Sequence, residues 1–134
     1  MNELVRISAR FGLLVLVALV VGIAAVKWKP RPVTLDVVMV DDKFEPDRVN
    51  FKQDVRYRLH VENRGKDTHE FTAPTFFASA AIEQPGALNR EHSEIVVQPG
   101  EATDVVLTPL HRGTYDLRCS DHDWDGMVGG ITVD

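Results

Sequence analysis

The sequence predicts an all-β sandwich, preceded by one apolar N-terminal helix and interrupted by a short helical insertion. The clearest strand is residues 55–62, in which every second residue is apolar. An alternation of period two is typical of a strand with one face on a core. Further runs of strand length lie at 34–40, 49–51, 94–97, 103–107, 113–119 and 128–133. Turn residues such as Pro99-Gly100 separate these runs, and short strands at this spacing indicate a sandwich.

The pattern changes between residues 74 and 91, where the alternation stops. The segment from Phe76 to Ile82 is rich in alanine and predicts one or two helical turns. Residues 83–90 contain proline, glycine and asparagine and predict a loop. We therefore expect a short helical insertion between two strands of the sandwich.

Residues 1–32 are predicted to form a membrane anchor and linker, and residues 33–134 a separate soluble domain. Sixteen residues from Phe11 to Val26 carry no charge, whereas a helix that spans a bilayer core needs about 20. A cleaved signal peptide is the alternative, with Gly22-Ile-Ala24 as a small-x-small cleavage site. The basic residues between 27 and 31, together with Trp28, favour an uncleaved anchor instead.

Both alternatives export the soluble domain. We expect a single-pass protein of the inner (cytoplasmic) membrane whose soluble domain lies on the periplasmic side. Cys119 is the only cysteine in the chain, so an internal disulfide cannot form. In an oxidising compartment this thiol is therefore a metal ligand, a reactive group or an intermolecular bridge.

The charge of the soluble domain restricts its partners. The whole chain has a net charge of −5, but residues 33–134 hold 10 basic and 19 acidic side chains, a net charge of −9. A domain this acidic is not a nucleic-acid binder, and a partner that it attracts should present a basic face. We expect the domain to act as a monomer.

The residues with metal-binding chemistry lie close to the C-terminus. Cys119, His122 and Met127 follow one another as Cys-x2-His-x4-Met, and His69 is a candidate second imidazole upstream. Two imidazole nitrogens, one thiolate and one weak thioether make up the ligand set of a mononuclear type 1, or blue, copper site. A thioether favours copper over zinc. The sequence therefore predicts one copper ion that cycles between Cu(I) and Cu(II).

Other chemistry for these residues is less consistent with the sequence. Nucleophilic catalysis by Cys119 with His122 as base would need an oxyanion-stabilising helix terminus, and none is evident nearby. A binuclear copper centre would need two bridging thiolates. The three aspartates at 121, 123 and 125 lack the bidentate glutamate and the glycine spacing of a calcium loop, so they predict a solvated acidic rim.

From residue 33 to residue 134 the chain resembles a cupredoxin. The resemblance is carried by the Cys-x2-His-x4-Met loop, whose spacing is similar to that of plastocyanins. Weaker motifs occur in the expected order; they are Phe44-Glu-Pro46, Thr68-His69-Glu-Phe71, Val97-Gln-Pro-Gly100 and Gly113-Thr-Tyr115. Asp121 stands where the plastocyanin-type loop usually has a proline. The resemblance implies a Greek-key β-sandwich with a copper ion held by His69, Cys119, His122 and Met127.

The resemblance also implies a function without catalysis. We expect a membrane-anchored carrier of single electrons between extracytoplasmic redox partners, with His122 as the ligand nearest the surface. Two alternatives remain open. One is a copper carrier or sensor that delivers the ion itself, and the other is a cupredoxin-like assembly subunit that docks through residues 74–91.

Overall fold

The computed structural model describes residues 28–134, which form two five-stranded sheets. The first sheet has the order β2-β1-β4-β8-β6 and contains β1 (Val33–Val40), β2 (Lys43–Glu45), β4 (Tyr57–Asn63), β6 (Ala80–Ile82) and β8 (Ala102–Pro109). The second sheet has the order β3-β10-β9-β5-β7 and contains β3 (Arg48–Phe51), β5 (His69–Thr72), β7 (Glu94–Val97), β9 (Gly113–Arg118) and β10 (Val128–Val133). Two pairs, β1 with β4 and β3 with β10, are parallel.

The alternating segment forms the central strand of the first sheet. Strand β4 pairs with β1 on one side and with β8 on the other. Leu59 and Val61 are fully buried, whereas Arg58, which lies between Tyr57 and Leu59, is exposed. The predicted alternation is confirmed, because one face of β4 packs on the core and the other meets solvent. Together the two sheets confirm the all-β sandwich.

Aromatic side chains from several elements fill one part of the core. Phe51 contacts Tyr57 edge-on, with ring centroids 4.9 Å apart. The ring of Phe51 also lies 4.9 Å from that of Phe76. Phe76 and Phe77 belong to α1 (Pro74–Ala78), a single helical turn that begins with a proline at a position where its missing N–H costs nothing. The insertion is therefore attached to the core by buried phenylalanines.

The predicted helix from Phe76 to Ile82 is right for its first half and wrong for its second. Residues 80–82 form β6, in which Ala80 pairs with Pro109 and Ile82 with Leu107 of β8. Helix propensity is a weak preference, and hydrogen bonding to the edge of β8 overrides it. The loop predicted for residues 83–90 contains one 3-10 turn, Pro85–Ala87.

Residues Arg31–Asp134 form one compact unit. The apolar run predicted to cross a membrane lies outside the described residues. Within residues 28–134, no helix has the length and apolar character that a bilayer crossing requires.

Candidate metal centre

Three of the four predicted ligands converge at one end of the second sheet. His69 is the first residue of β5, Cys119 directly follows β9, and His122 lies on the loop between β9 and β10. The Cys119 Sγ lies 3.8 Å from His69 Nδ1 and 3.4 Å from His122 Nδ1. The potential ligand atoms of all three residues lie within 4.8 Å of one another. A single ion between them could therefore contact two nitrogens and one sulfur.

Backbone hydrogen bonds close the loop that carries Cys119 and His122. The Cys119 amide donates to the carbonyl of Met127 at 3.0 Å, and the Met127 amide donates to the carbonyl of His122 at 3.2 Å. A 3-10 turn, Asp123–Asp125, lies between them and ends at Gly126, whose φ of 96° is in the left-handed region that favours glycine. The loop is thereby closed on itself, and the fully buried Met127 lies at its base.

The candidate ligands differ in their exposure to solvent. His69 and Cys119 are buried, whereas His122 is half-buried. The ring centroids of the two histidines are 4.9 Å apart. Two imidazole nitrogens and one cysteine sulfur form a donor set that suits copper. The residues present therefore fit a copper ion, and His122 is the member of the set closest to solvent.

Glu70 makes two hydrogen bonds with the sulfur of Cys119, which the sequence did not predict. Its backbone amide donates to the Cys119 Sγ at 3.4 Å, and the thiol donates to Glu70 Oε2 at 2.9 Å. The same Oε2 accepts from the amide of Asp121 at 3.4 Å. Glu70 thus ties β5 to the loop after β9. The position of the charged Glu70 between His69 and the apolar Phe71 is the sequence signal that could have pointed to it.

Burial, followed by the hydrogen bond to Glu70, raises the pKa of the Cys119 thiol to about 11. Without metal the thiol therefore keeps its proton at neutral pH. Metal ions bind the thiolate, so metal uptake must release this proton. The buried thiol is also a poor nucleophile, which argues against the catalytic alternative.

The predicted acidic rim lies beside His122. Asp121 and Asp125 are exposed and Asp123 is half-buried, with Asp123 Oδ2 3.9 Å from the Nε of Arg118. Trp124, between Asp123 and Asp125, is 78% exposed, and its indole N–H donates to the carbonyl of Asp121 at 2.9 Å. This tryptophan was not among the site residues predicted from the sequence. The surface near the half-buried histidine therefore combines negative charge with one large aromatic ring.

Known proteins resemble this chain in sequence and in fold. The model of the cupredoxin-like domain family matches residues 12–133. A segment of 48 residues is 40% identical to chloroplastic plastocyanin from Fritillaria agrestis; it covers 36% of this chain and 28% of that protein. The chain thus matches little more than a quarter of the length of this curated relative.

Two solved structures show a similar fold. Auracyanin A, a "blue" copper protein of Chloroflexus aurantiacus, superposes with a TM-score of 0.57 at 14% identity, covering 78% of this chain and 100% of the other. The multicopper oxidase of Campylobacter jejuni gives a TM-score of 0.56 at 16% identity, covering 81% of this chain and 31% of the oxidase. At such identities these similarities establish the fold alone. Because the family model spans most of the sequence, the chain belongs to the family of cupredoxin-like domains.

Proposed function

We propose that the protein binds one copper ion through His69, Cys119 and His122, with Met127 as a weak fourth ligand, and carries single electrons. The observation that supports this proposal best is the convergence of one sulfur and two imidazole nitrogens within 4.8 Å. A copper ion bound to such a set supplies one-electron exchange between Cu(II) and Cu(I). No other group of histidine, cysteine and acidic side chains in residues 28–134 has metal-site geometry.

The way the ligands are held favours electron transfer over catalysis. His69 is fixed by a sheet, and the loop that carries Cys119 and His122 is closed by its own backbone hydrogen bonds. Rigid ligands keep the rearrangement between the two oxidation states small. A copper oxidase would need further copper centres, and residues 28–134 contain only one cluster with metal-site geometry. The proposed role is therefore that of a monomeric carrier and not of an enzyme.

The surface and the N-terminus suggest where the carrier acts. Electrons would pass through the half-buried His122, and the acidic rim around it suits a redox partner with a basic docking face. We place the domain on the extracytoplasmic side of the inner membrane, held there by the apolar segment that precedes residue 27. The net charge of −9 on residues 33–134 supports the basic partner.

Copper reconstitution of the full chain tests the central proposal. We expect one Cu(II) per protein, an intense visible thiolate-to-copper band, and an electron paramagnetic resonance spectrum typical of type 1 copper. The copper should stay bound through repeated cycles of reduction and oxidation. Transfer of the ion to a competing acceptor within one cycle would favour copper delivery instead. His69→Ala should weaken or shift the band, whereas His60→Ala, on a different strand, should leave it unchanged.

The role of Met127 can be tested through the reduction potential. We expect Met127→Leu to keep copper bound and to raise the potential, because loss of a thioether donor leaves the ion with fewer ligands and favours Cu(I). Leucine has a similar volume, so the buried position remains filled. Voltammetry of both proteins measures the change. A lower potential in the variant would show that Met127 is not the axial ligand.

Membrane attachment is tested by fractionation. If the apolar segment is retained, the protein should stay with membranes after a high-salt wash and should need detergent for release. The salt wash is an internal control, because it removes proteins that are held by charge alone. A mature N-terminus near Ala25, found by mass spectrometry, would instead establish a cleaved signal peptide.

A further inference from the structure

One nitrogen of the His69 imidazole, Nε2, has no hydrogen-bond partner among the described residues. Its Nδ1 faces the sulfur of Cys119, and the ring as a whole is buried. Its Nε2 is also buried, and it makes no hydrogen bond within the described part of the chain. A buried polar atom without a partner is unfavourable, and most such atoms in native proteins are satisfied. The environment of Nε2 therefore needs an explanation.

One carboxylate lies next to this nitrogen. Asp41 follows β1, in the turn before β2, and its Oδ1 is 3.8 Å from His69 Nε2. The same oxygen accepts a hydrogen bond of 2.9 Å from the amide of Lys66. Lys66 belongs to the segment that leads into β5 and so to His69. The turn after β1 is thus attached to the segment that carries the ligand.

Gly65 keeps the space between the two groups free. A Cβ atom at this position would lie 2.7 Å from Asp41 Oδ1 and 2.7 Å from His69 Nε2. Such distances are shorter than van der Waals contact, so any larger residue would push the carboxylate away from the ring or displace the ring. Glycine at 65 therefore permits Asp41 and His69 to approach each other.

The chemistry of histidine as a metal ligand completes the argument. A histidine that binds metal through Nδ1 carries its remaining proton on Nε2, and in metal sites that N–H is almost always donated to a carboxylate, a carbonyl or water. If the distance between Asp41 Oδ1 and His69 Nε2 shortened by about 0.9 Å, it would be about 2.9 Å, an ordinary hydrogen-bond length.

On the basis of the proposed copper site, we propose that Asp41 is a positioning residue for it: its carboxylate accepts the Nε2–H of His69 and so aims Nδ1 at the metal. The carboxylate also makes the imidazole a stronger donor. Both effects stabilise the more highly charged Cu(II) state more than Cu(I). Asp41 therefore strengthens Cu(II) binding and lowers the reduction potential.

The test compares charge removal at two neighbouring positions in the full-length protein. Asp41→Asn keeps an oxygen that can accept from the Lys66 amide but removes the carboxylate. Asp42→Asn removes the same charge from an exposed residue whose φ of 70° suits asparagine. We measure Cu(II) and Cu(I) affinities by competition with chelators, the reduction potential, and the thermal unfolding of the copper-free proteins.

We expect Asp41→Asn to weaken Cu(II) binding about 10–100-fold, as loss of an outer partner of a ligating histidine typically does. Cu(I) binding should weaken less, so the potential should rise. Unfolding of the copper-free protein and all properties of Asp42→Asn should stay close to wild type. Gly65→Ala should reproduce the loss of Cu(II) affinity, because its methyl group separates the same two atoms.

Two results would overturn this role of Asp41. The first is equal Cu(II) affinity and potential in Asp41→Asn and Asp42→Asn. The second is a loss of affinity that the reduced stability of the copper-free variant fully accounts for. In both cases the wild type still binds copper, so the proposed function survives. A wild type that binds no copper would instead overturn the proposed function and this inference together.

Discussion

Replacing Cys119 with serine is expected to abolish the intense visible band of the copper-loaded protein. The band requires a thiolate bonded to Cu(II), and a serine hydroxyl is neither anionic at neutral pH nor a soft donor. The substitution exchanges sulfur for a smaller oxygen in a fully buried position, so the sandwich should remain folded. Absorption and paramagnetic resonance spectra of Cys119→Ser after copper addition provide the measurement.

The control for this experiment is Ser120→Ala, which changes the neighbouring residue but leaves the sulfur in place. Ser120 donates a hydrogen bond of 3.1 Å to Glu94 at the surface, so its loss should leave the colour unchanged. If Cys119→Ser retained the band, Cys119 would not be the copper ligand and the proposed site would be wrong.

The pH dependence of copper uptake provides a second comparison between the wild type and Cys119→Ser. Because the pKa of Cys119 is raised to about 11, the wild-type thiol must lose a proton before it binds copper. The affinity of the wild type should therefore rise with pH throughout the neutral range, by about tenfold per pH unit for one released proton. Cys119→Ser has no such proton to release, so any residual copper binding should lack this contribution.

Changing Asp121, Asp123 and Asp125 together to asparagine is expected to slow electron exchange with a cationic partner. The three aspartates lie within three residues of the half-buried His122 in the sequence. Electrostatic steering by such charges raises association rates by about 10–10³-fold at low salt. Stopped-flow oxidation of the reduced protein by a cationic metal complex, across a series of salt concentrations, gives the rates. We expect the wild-type rate to fall as salt is added and the variant's rate to depend on salt much less.

The reduction potential should change in the same variant. Negative charges beside the site stabilise Cu(II) more than Cu(I), so their removal should raise the potential modestly. A matched control removes three exposed aspartates elsewhere, Asp36, Asp47 and Asp54, and so changes the net charge equally. If both triple variants slow the reaction to the same extent, net charge and not the rim directs the encounter. A wild-type rate that is flat or increases with salt would exclude attraction by the rim.

The parts of the fold that the sequence predicted are those with a strong local pattern. The alternation in residues 55–62 produced β4, and the apolar run after Met127 produced β10 at Val128–Val133. The Cys-His-Met loop was equally readable, because its three candidate ligands are separated by only a few residues. The convergence of His69 on that loop followed from the resemblance and from the order of the motifs.

The remaining features depend on contacts between distant parts of the chain. Strand β6 exists because β8 offers an edge, and two of its three residues are alanines, which by themselves favour a helix. Glu70 reaches Cys119 across 49 residues of sequence, and Asp41 reaches His69 from the turn after β1. Neither contact leaves a periodic pattern in the sequence, because each depends on where two distant segments of the chain meet in space.

The uneven placement of the proposed ligands along the chain would couple copper binding to folding. Cys119, His122 and Met127 lie within nine residues, so an unfolded chain can already gather them around an ion, whereas His69 joins only when β5 and β9 lie in the same sheet. Affinity for the unfolded chain subtracts from the stabilisation that a ligand gives to the native state. Bound copper would therefore raise the free energy of unfolding only by the part of its affinity that His69 and the closed loop add. The same three residues would allow the ion to bind before the sandwich is complete.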